Sequence, residues 1–200
     1  MARTRAKDHD EKRVALLRAA AQVFAAEGYD RASMQAAAEA AGVSKALVYH
    51  YFASKEALLF ELIRGHLEGL AEAAEAAVAA AGPAPRARLH ALVAALLEAY
   101  RDADAEHKLQ LSALSALPEP RQAEIRALER RLVALMSRAV AEAAPALPAA
   151  QLRPAVMSLF GTINWAWMWF RDGGPMTRDA YAAFVTDLFL DGAAGARTER

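Results

Sequence analysis

The sequence has no cysteine, and this absence excludes disulfide scaffolds, thiolate zinc sites and cysteine nucleophiles. It also has no uninterrupted apolar run long enough to span a bilayer, so we expect no membrane partner. The first residues, MARTRAKDHDEKR, are polar, so we expect no secretory signal segment. These observations lead us to expect a cytoplasmic protein.

Strand signals and catalytic motifs are missing as well. Strict alternation of polar and apolar residues, which is typical of half-buried strands, persists nowhere along the chain. There is no HExxH pair, no Gly-x-Ser-x-Gly turn and no phosphate-cradling glycine loop. We therefore expect no catalytic residue, no metal and no cofactor. An enzyme of acyl thioesters is the rival interpretation from a different functional class.

The residues that are present favour helices. Hydrophobic residues make up 56% of the chain, and many of them are alanine, the best helix former. Apolar periodicity and glycine or proline punctuation predict an all-α fold of about nine helices. These cover about residues 10–28, 33–42, 44–51, 54–81, 86–100, 106–117, 121–143, 150–171 and 177–192. In the first helix, Val14, Leu17, Ala21 and Phe24 recur at helical spacing.

Charge is distributed unevenly although the formal net charge is zero. Residues 1–55 hold nine Lys or Arg against six Asp or Glu, so the rest of the chain carries an excess of three negative charges. A basic N-terminal segment, called the head below, followed by an acidic remainder indicates a polyanion-binding module joined to a second module. We predict a head domain over residues 1–53 and a second domain over 54–200.

The stretch AGVSKALVYHYFASKEALL, residues 41–59, joins two short helices through a tight glycine-containing turn. Two helices joined in this way form a helix-turn-helix, the motif that places its second helix in the DNA major groove. Val48 and Phe52, with Tyr51, are expected to pack inward. The other face would then meet double-stranded DNA. The alternative interpretation is a helical bundle or interaction module that does not bind DNA.

Eight residues of this head are candidate DNA contacts. Ala46 would let the backbone approach the bases, Leu47 would touch a thymine methyl, and His50 would contact a base or phosphate. Tyr49 and Lys45 suit phosphates, as do Lys55 and the helix-capping Ser33 and Ser44. The basic residues Arg3, Arg5 and Lys7 would add a salt-dependent arm.

The run SMQAAAEAAGVSKALVYHYFASKEAL, residues 33–58, resembles the DNA-binding signature of the TetR family of bacterial transcriptional regulators. It departs from the family pattern at Ala36-Ala37, where Ile-Ala is usual. The resemblance implies a homodimeric repressor that binds a palindromic operator and pairs through its last two helices, here 150–171 and 177–192. Trp165, Trp169, Phe184, Leu188 and Phe189 are the candidate interface residues, unless they cover the subunit's own core.

The second domain should hold an effector site. Residues 107–133 and 161–175 are similar to a TetR subgroup that responds to acyl-coenzyme A thioesters of fatty-acid or phenylacetate catabolism. The candidate ligand residues are Leu62, Met136, Phe160, Asn164, Trp167, Met168 and Arg171. Further arginines, Arg86, Arg88, Arg126, Arg130 and Arg131, are candidate cations for the coenzyme phosphates. The alternative effector is a lipophilic compound without coenzyme A, as in a regulator of multidrug efflux.

Overall fold

The computed structural model describes the backbone of residues 2–195 and the side chains of residues 12–195. All regular structure in this part of the chain is helical, which confirms the expected all-α fold. The helices are α1 (Ala2–Glu27), α2 (Met34–Ala40), α3 (Lys45–Tyr51), α4 (Lys55–Ala80), α5 (Pro85–Ala99), α6 (Asp104–Ala113), α7 (Glu119–Ala143), α8 (Ala149–Asn164), α9 (Ala166–Trp169) and α10 (Arg178–Gly195). A 3-10 turn over Leu114–Ala116 follows α6. None of the described helices is both long enough and apolar enough to cross a membrane.

The predicted caps set the starts of the short helices. Ser33 Oγ accepts a hydrogen bond from the backbone N–H of Ala36 at 3.0 Å, and Ser44 Oγ accepts one from Leu47 at 3.2 Å. Such bonds satisfy amide groups that have no partner within the first turn of a helix. Gly42 ends α2 with a φ of +65°, a left-handed conformation that glycine adopts without steric cost.

Several predicted details of the helices were wrong. The helix expected over 150–171 is broken at Trp165 into α8 and the single turn of α9. The first helix begins earlier than residue 10, so the proposed basic arm belongs to α1, and its side chains lie outside the described ones. Val14 is 48% exposed, and Leu16 is the buried residue of that turn.

The helices form two compact units. The first contains the chain up to Leu67 together with Asp102–Arg126. In it, α1 packs against α2 and α6, and α2 packs against α3. Its buried side chains include Leu16, Phe24, Val48, Phe52, Leu58, Ile63 and Leu109. These residues form an apolar core beneath the helix-turn-helix, which fixes the position of α3.

The second unit contains Glu68–Arg101 and the chain from Ala127 onwards. Here α10 packs against α5 and α8, and α5 also packs against α8. Leucine and valine side chains of these helices and of α7 fill the core, among them Leu89, Leu92, Leu96, Val140, Val156 and Val185. The predicted domain boundary at residues 53 and 54 stays a prediction.

Candidate nucleic-acid interface

The α2–turn–α3 segment has the expected two-faced character. Val48 is fully buried and Phe52, the residue that ends α3, is 3% exposed, so one face of α3 is anchored in the core. The side chains of Lys45, Ala46 and His50 are exposed on α3, and Tyr49 is 47% exposed. A seven-residue helix exposing this much polar and aromatic surface is well suited to insertion into a groove.

The exposed side chains supply distinct kinds of contact. Lys45 carries a cation whose Nζ lies 6.0 Å from the centroid of the Tyr49 ring. His50 lies edge-on to Tyr51, with ring centroids 5.7 Å apart. Ala46 is exposed on the same helix, and its small side chain would leave room for a base edge. Leu47 is half-buried, so its apolar side chain is only partly available for the predicted thymine contact.

Three of the predicted contacts are already engaged within the protein. The hydroxyls of Ser33 and Ser44 cap their helices, as described above. Lys55 Nζ donates to the carbonyl of Asp30 at 3.3 Å and lies 4.3 Å from the centroid of the Tyr29 ring. Lys55 therefore joins the start of α4 to the α1–α2 turn, and its predicted phosphate contact competes with this role.

An ion-pair cluster behind α3 was missed from the sequence. The guanidinium of Arg13 on α1 donates to the carboxylate of Glu61 on α4, and Arg64 donates to the same carboxylate at 2.9 Å. Arg13 also lies over the Phe52 ring, 5.4 Å from its centroid. Burial would raise the pKa of Glu61, but the hydrogen bonds and charges of Arg64 and Arg13 outweigh it and lower that pKa.

The predicted effector residues are not brought together around one described cavity. Leu62 is buried in the first unit, whereas the other six lie in the second. Met136 and Phe160 are buried there, Trp167 is half-buried, and Met168 and Arg171 are exposed. Asn164 accepts a hydrogen bond of 2.6 Å from the hydroxyl of Tyr100, which is the neighbouring-helix partner that a partly buried amide needs.

Most of the arginines considered for coenzyme phosphates have partners within the protein. Arg86 donates to Asp187 at 2.5 Å and Arg88 to Glu142 at 2.7 Å. Arg131 forms a bidentate pair with Glu75, at 2.7 and 2.6 Å, and Arg126 donates to Gln122. Each of these bonds would compete with a phosphate, so the coenzyme role of these arginines remains a prediction.

The last helices expose the predicted interface residues. Trp165 is 61% exposed, Trp169 50%, Phe184 51% and Leu188 60%. Phe189 is half-buried and lines a groove of about 360 Å³ between α8 and α10, together with residues such as Leu147 and Pro154. Exposed apolar side chains concentrated on adjoining helices are typical of a protein interface.

The helix-turn-helix on a helical head, joined to a second all-helical unit, defines a DNA-binding transcriptional regulator. A family model described as "Bacterial regulatory proteins, tetR family" matches residues 16–62. A second, described as "Tetracyclin repressor-like, C-terminal domain", matches residues 82–193. The chain belongs to the TetR family of transcriptional repressors.

Individual relatives agree with this assignment. The HTH-type transcriptional regulator BetI of Burkholderia thailandensis is 32% identical over 178 residues, which cover 88% of this chain and 90% of that protein. A TetR-family regulator from Bordetella parapertussis has a structure with a TM-score of 0.81 and 32% identity, covering 94% of this chain and 98% of its own. These relatives are regulators, which confirms the expectation that the chain is not an enzyme.

A third protein of similar structure was solved together with its bound molecules. The structure of AibR in complex with isovaleryl coenzyme A and operator DNA has a TM-score of 0.75 and 26% identity. The match covers 90% of this chain and 98% of that one.

Proposed function

We propose that the protein is a homodimeric repressor that binds a palindromic operator and is released from it by a small effector. The observation that carries the proposal is the two-faced α3, which is anchored through Val48 and Phe52 and exposes Lys45, Tyr49 and His50. In this role the helix lies in the major groove. His50 and Ala46 meet base edges, and Lys45 and Tyr49 hold the phosphates on either side.

The proposed dimer forms through α8 and α10. Their exposed tryptophan, phenylalanine and leucine side chains would be removed from water by a second copy. At about 25 cal/mol per Å² of apolar surface, burial of these side chains on both subunits would favour association and offset part of the entropy that two chains lose on binding. Two recognition helices in such a dimer would read half-sites roughly 34–36 Å apart, or a multiple of one DNA turn.

The proposed effector is an acyl-coenzyme A thioester. The AibR complex supports this class, because that relative of similar fold binds isovaleryl coenzyme A. In this chain Met136, Phe160 and Trp167 are the apolar candidates for the acyl group, and Arg171 is a candidate cation. Arg171 Nη1 donates to the backbone carbonyl of Phe170 at 3.0 Å and Nη2 donates to that of Met168 at 3.4 Å. These bonds use two of the five N–H groups of the guanidinium, and the other three are the donors proposed for a phosphate.

The alternative effector is a lipophilic molecule that lacks coenzyme A. The observation that favours it is the arginine pairing in the second unit, where Arg86, Arg88 and Arg131 are bonded to carboxylates. An apolar ligand needs none of these cations, whereas a coenzyme with several phosphates does.

Release requires that the effector bind two states of the protein with different affinity. The helix proposed to couple the effector site to the recognition helix is α4. It begins at Lys55 in the first unit and ends in the second unit. A change in the second unit that moves α4 would reach α3 through Glu61 and Arg13.

The proposal is tested by footprinting the purified protein on the DNA upstream of its own gene. Acyl-coenzyme A thioesters of different chain length, free fatty acids and lipophilic drugs are then titrated for release. Release by thioesters alone supports the acyl-coenzyme A proposal, and release by drugs or free acids supports the alternative. A protein that gives no footprint at low ionic strength contradicts the operator proposal.

A further inference from the structure

A cleft of about 590 Å³ opens in the first unit between the end of α1, the turn that follows it and α6. Its volume lies within the range of about 300–1,000 Å³ that is usual for small-molecule sites. Arg31 and Lys108 contribute cations to its lining, and Ser112 and Ser115 contribute hydroxyls. None of these four residues has a part in the proposed operator, effector or dimer contacts.

The two cations first serve the end of α1. Arg31 Nε donates to the carbonyl of Glu27 at 2.9 Å, and Lys108 Nζ donates to the carbonyl of Ala25 at 2.6 Å. Both bonds satisfy carbonyls of the last helical turn and offset the negative end of the helix dipole. Each cation uses only part of its donor capacity in this way, because a guanidinium has five N–H groups and an ammonium has three.

The lining therefore retains donors that no described residue uses. Among the described residues, the Nη groups of Arg31 and the hydroxyl of Ser115 have no hydrogen-bond partner. The Tyr29 hydroxyl is buried and also has no partner in the described part of the chain. Burial, with the charges of Glu56 and Asp30, raises the pKa of Tyr29 to about 12, so this hydroxyl keeps its proton at neutral pH. Asp30 is the only carboxylate among the described residues that line the cleft.

We infer that this cleft binds a small organic anion, through a phosphate or carboxylate group held between Arg31 on the α1–α2 turn and Lys108 on α6. The guanidinium would bind the anion through two parallel hydrogen bonds, and Lys108 and Ser115 would complete the shell. A bound anion would link α6 to the turn that precedes Ser33, the cap of α2. The site is thus distinct from the proposed effector site in the second unit and does not depend on it.

The test uses the full-length, ¹⁵N-labelled protein and three probes: inorganic phosphate, pyrophosphate and citrate, at constant ionic strength in chloride. Saturable amide shifts are expected at Gly28, Asp30 and Ser115, with a dissociation constant in the millimolar range for phosphate. The matched variants are Ala26→Glu and Ala26→Gln, at an exposed position of the cleft lining. They have nearly the same shape and differ in charge, and both leave Arg31 and Lys108 unsubstituted.

The added carboxylate of Ala26→Glu should weaken binding at least about tenfold, and Ala26→Gln should change it less than about twofold. Equal binding by the two variants, or shifts that do not saturate, would overturn the proposal. Operator binding by Arg31→Gln provides a further check. If this variant lowers the salt dependence of operator binding by about one unit of slope, the cleft holds the DNA backbone and the small-anion proposal is wrong.

Discussion

Arg13 and Glu61, which are 48 positions apart, form a hydrogen-bonded ion pair that joins α1 to α4. The same guanidinium covers the ring of Phe52, the residue at which the proposed recognition helix ends. The position of α3 is therefore connected to α4 by a chain of direct contacts. The side chain of Glu61 is 22% exposed and that of Arg13 is 35% exposed, so solvent screens the pair only in part.

Glu61→Gln is expected to lower the free energy of unfolding by roughly 1–2 kcal/mol at pH 7, because two arginines lose their charged partner. The matched control is Glu124→Gln, an exposed carboxylate of α7 in the same unit, which should change stability by less than about 0.5 kcal/mol. Urea denaturation measures both. An equal effect of the two substitutions would show that the Glu61 pair does not contribute.

The same variant has a predictable pH dependence. The pKa of Glu61 is lowered in the folded protein, so the contribution of its charge is complete above the ordinary carboxyl pKa of 4.5. That contribution is lost as the pH falls through the lower folded pKa. The stability difference between the parent and Glu61→Gln should shrink accordingly below about pH 4.5.

The sequence predicted the local features of the fold well. The caps at Ser33 and Ser44 and the left-handed Gly42 depend on residues within four positions of each other, so the sequence shows them directly. The break at Trp165 has no glycine or proline to mark it, and continuous periodicity suggested one helix. No local pattern distinguishes such a bend from an uninterrupted helix.

Long-range contacts could not be predicted in the same way. Nothing in the sequence pairs Arg13 with Glu61, Tyr100 with Asn164, or Lys55 with the Tyr29 ring. Lys55, proposed from the sequence as a phosphate contact, is half-buried because an aromatic ring and a carbonyl lie within reach of its ammonium. Predicting which distant side chain a given residue contacts requires knowing how the helices pack. The periodicity of the sequence within each helix does not supply this information.

Lys45 and Lys55 should respond differently to removal of their charge. Lys45→Met should lower the slope of log affinity against log salt by about 0.9, the value for one lost phosphate contact. Lys55→Met should lower thermal stability with an unchanged slope if its main role is the contact with Asp30 and Tyr29. Operator titrations at several salt concentrations measure the slopes. A reduced slope for Lys55→Met would instead support the phosphate contact predicted from the sequence.

His50→Ala and Tyr49→Phe should weaken operator binding while the fold and effector binding persist. Both side chains are exposed, so their loss leaves the core intact. We expect His50→Ala to reduce the preference for the operator over a scrambled duplex by about tenfold, as for one base contact of 1–3 kcal/mol. Gln22→Ala, an exposed change on α1, is the control. Unchanged operator binding by both variants would contradict the proposed contact face.

Gly69 in α4 should tolerate alanine with a gain in stability. A Cβ atom added there meets no described residue within 4 Å, so no close packing in the described part of the chain requires the glycine. Replacing a helical glycine by alanine stabilises a helix by roughly 0.5–1 kcal/mol. Thermal unfolding should therefore shift upward by about 1–4 °C. A loss of stability would indicate that the α4 backbone at this position departs from a regular helix.

Leu188→Glu is expected to dissociate the proposed dimer. Leu188 is 60% exposed on α10 and lines the groove together with Phe189. A carboxylate at this position would have to lose its hydration when the interface forms. The dimer dissociation constant should rise at least about a hundredfold, equivalent to about 3 kcal/mol. The matched control is Leu111→Glu, because Leu111 is a leucine of similar exposure, 66%, on α6 of the other unit. Sedimentation velocity over a range of concentrations measures both variants. If Leu111→Glu dissociates the protein and Leu188→Glu does not, the interface lies elsewhere than α8 and α10.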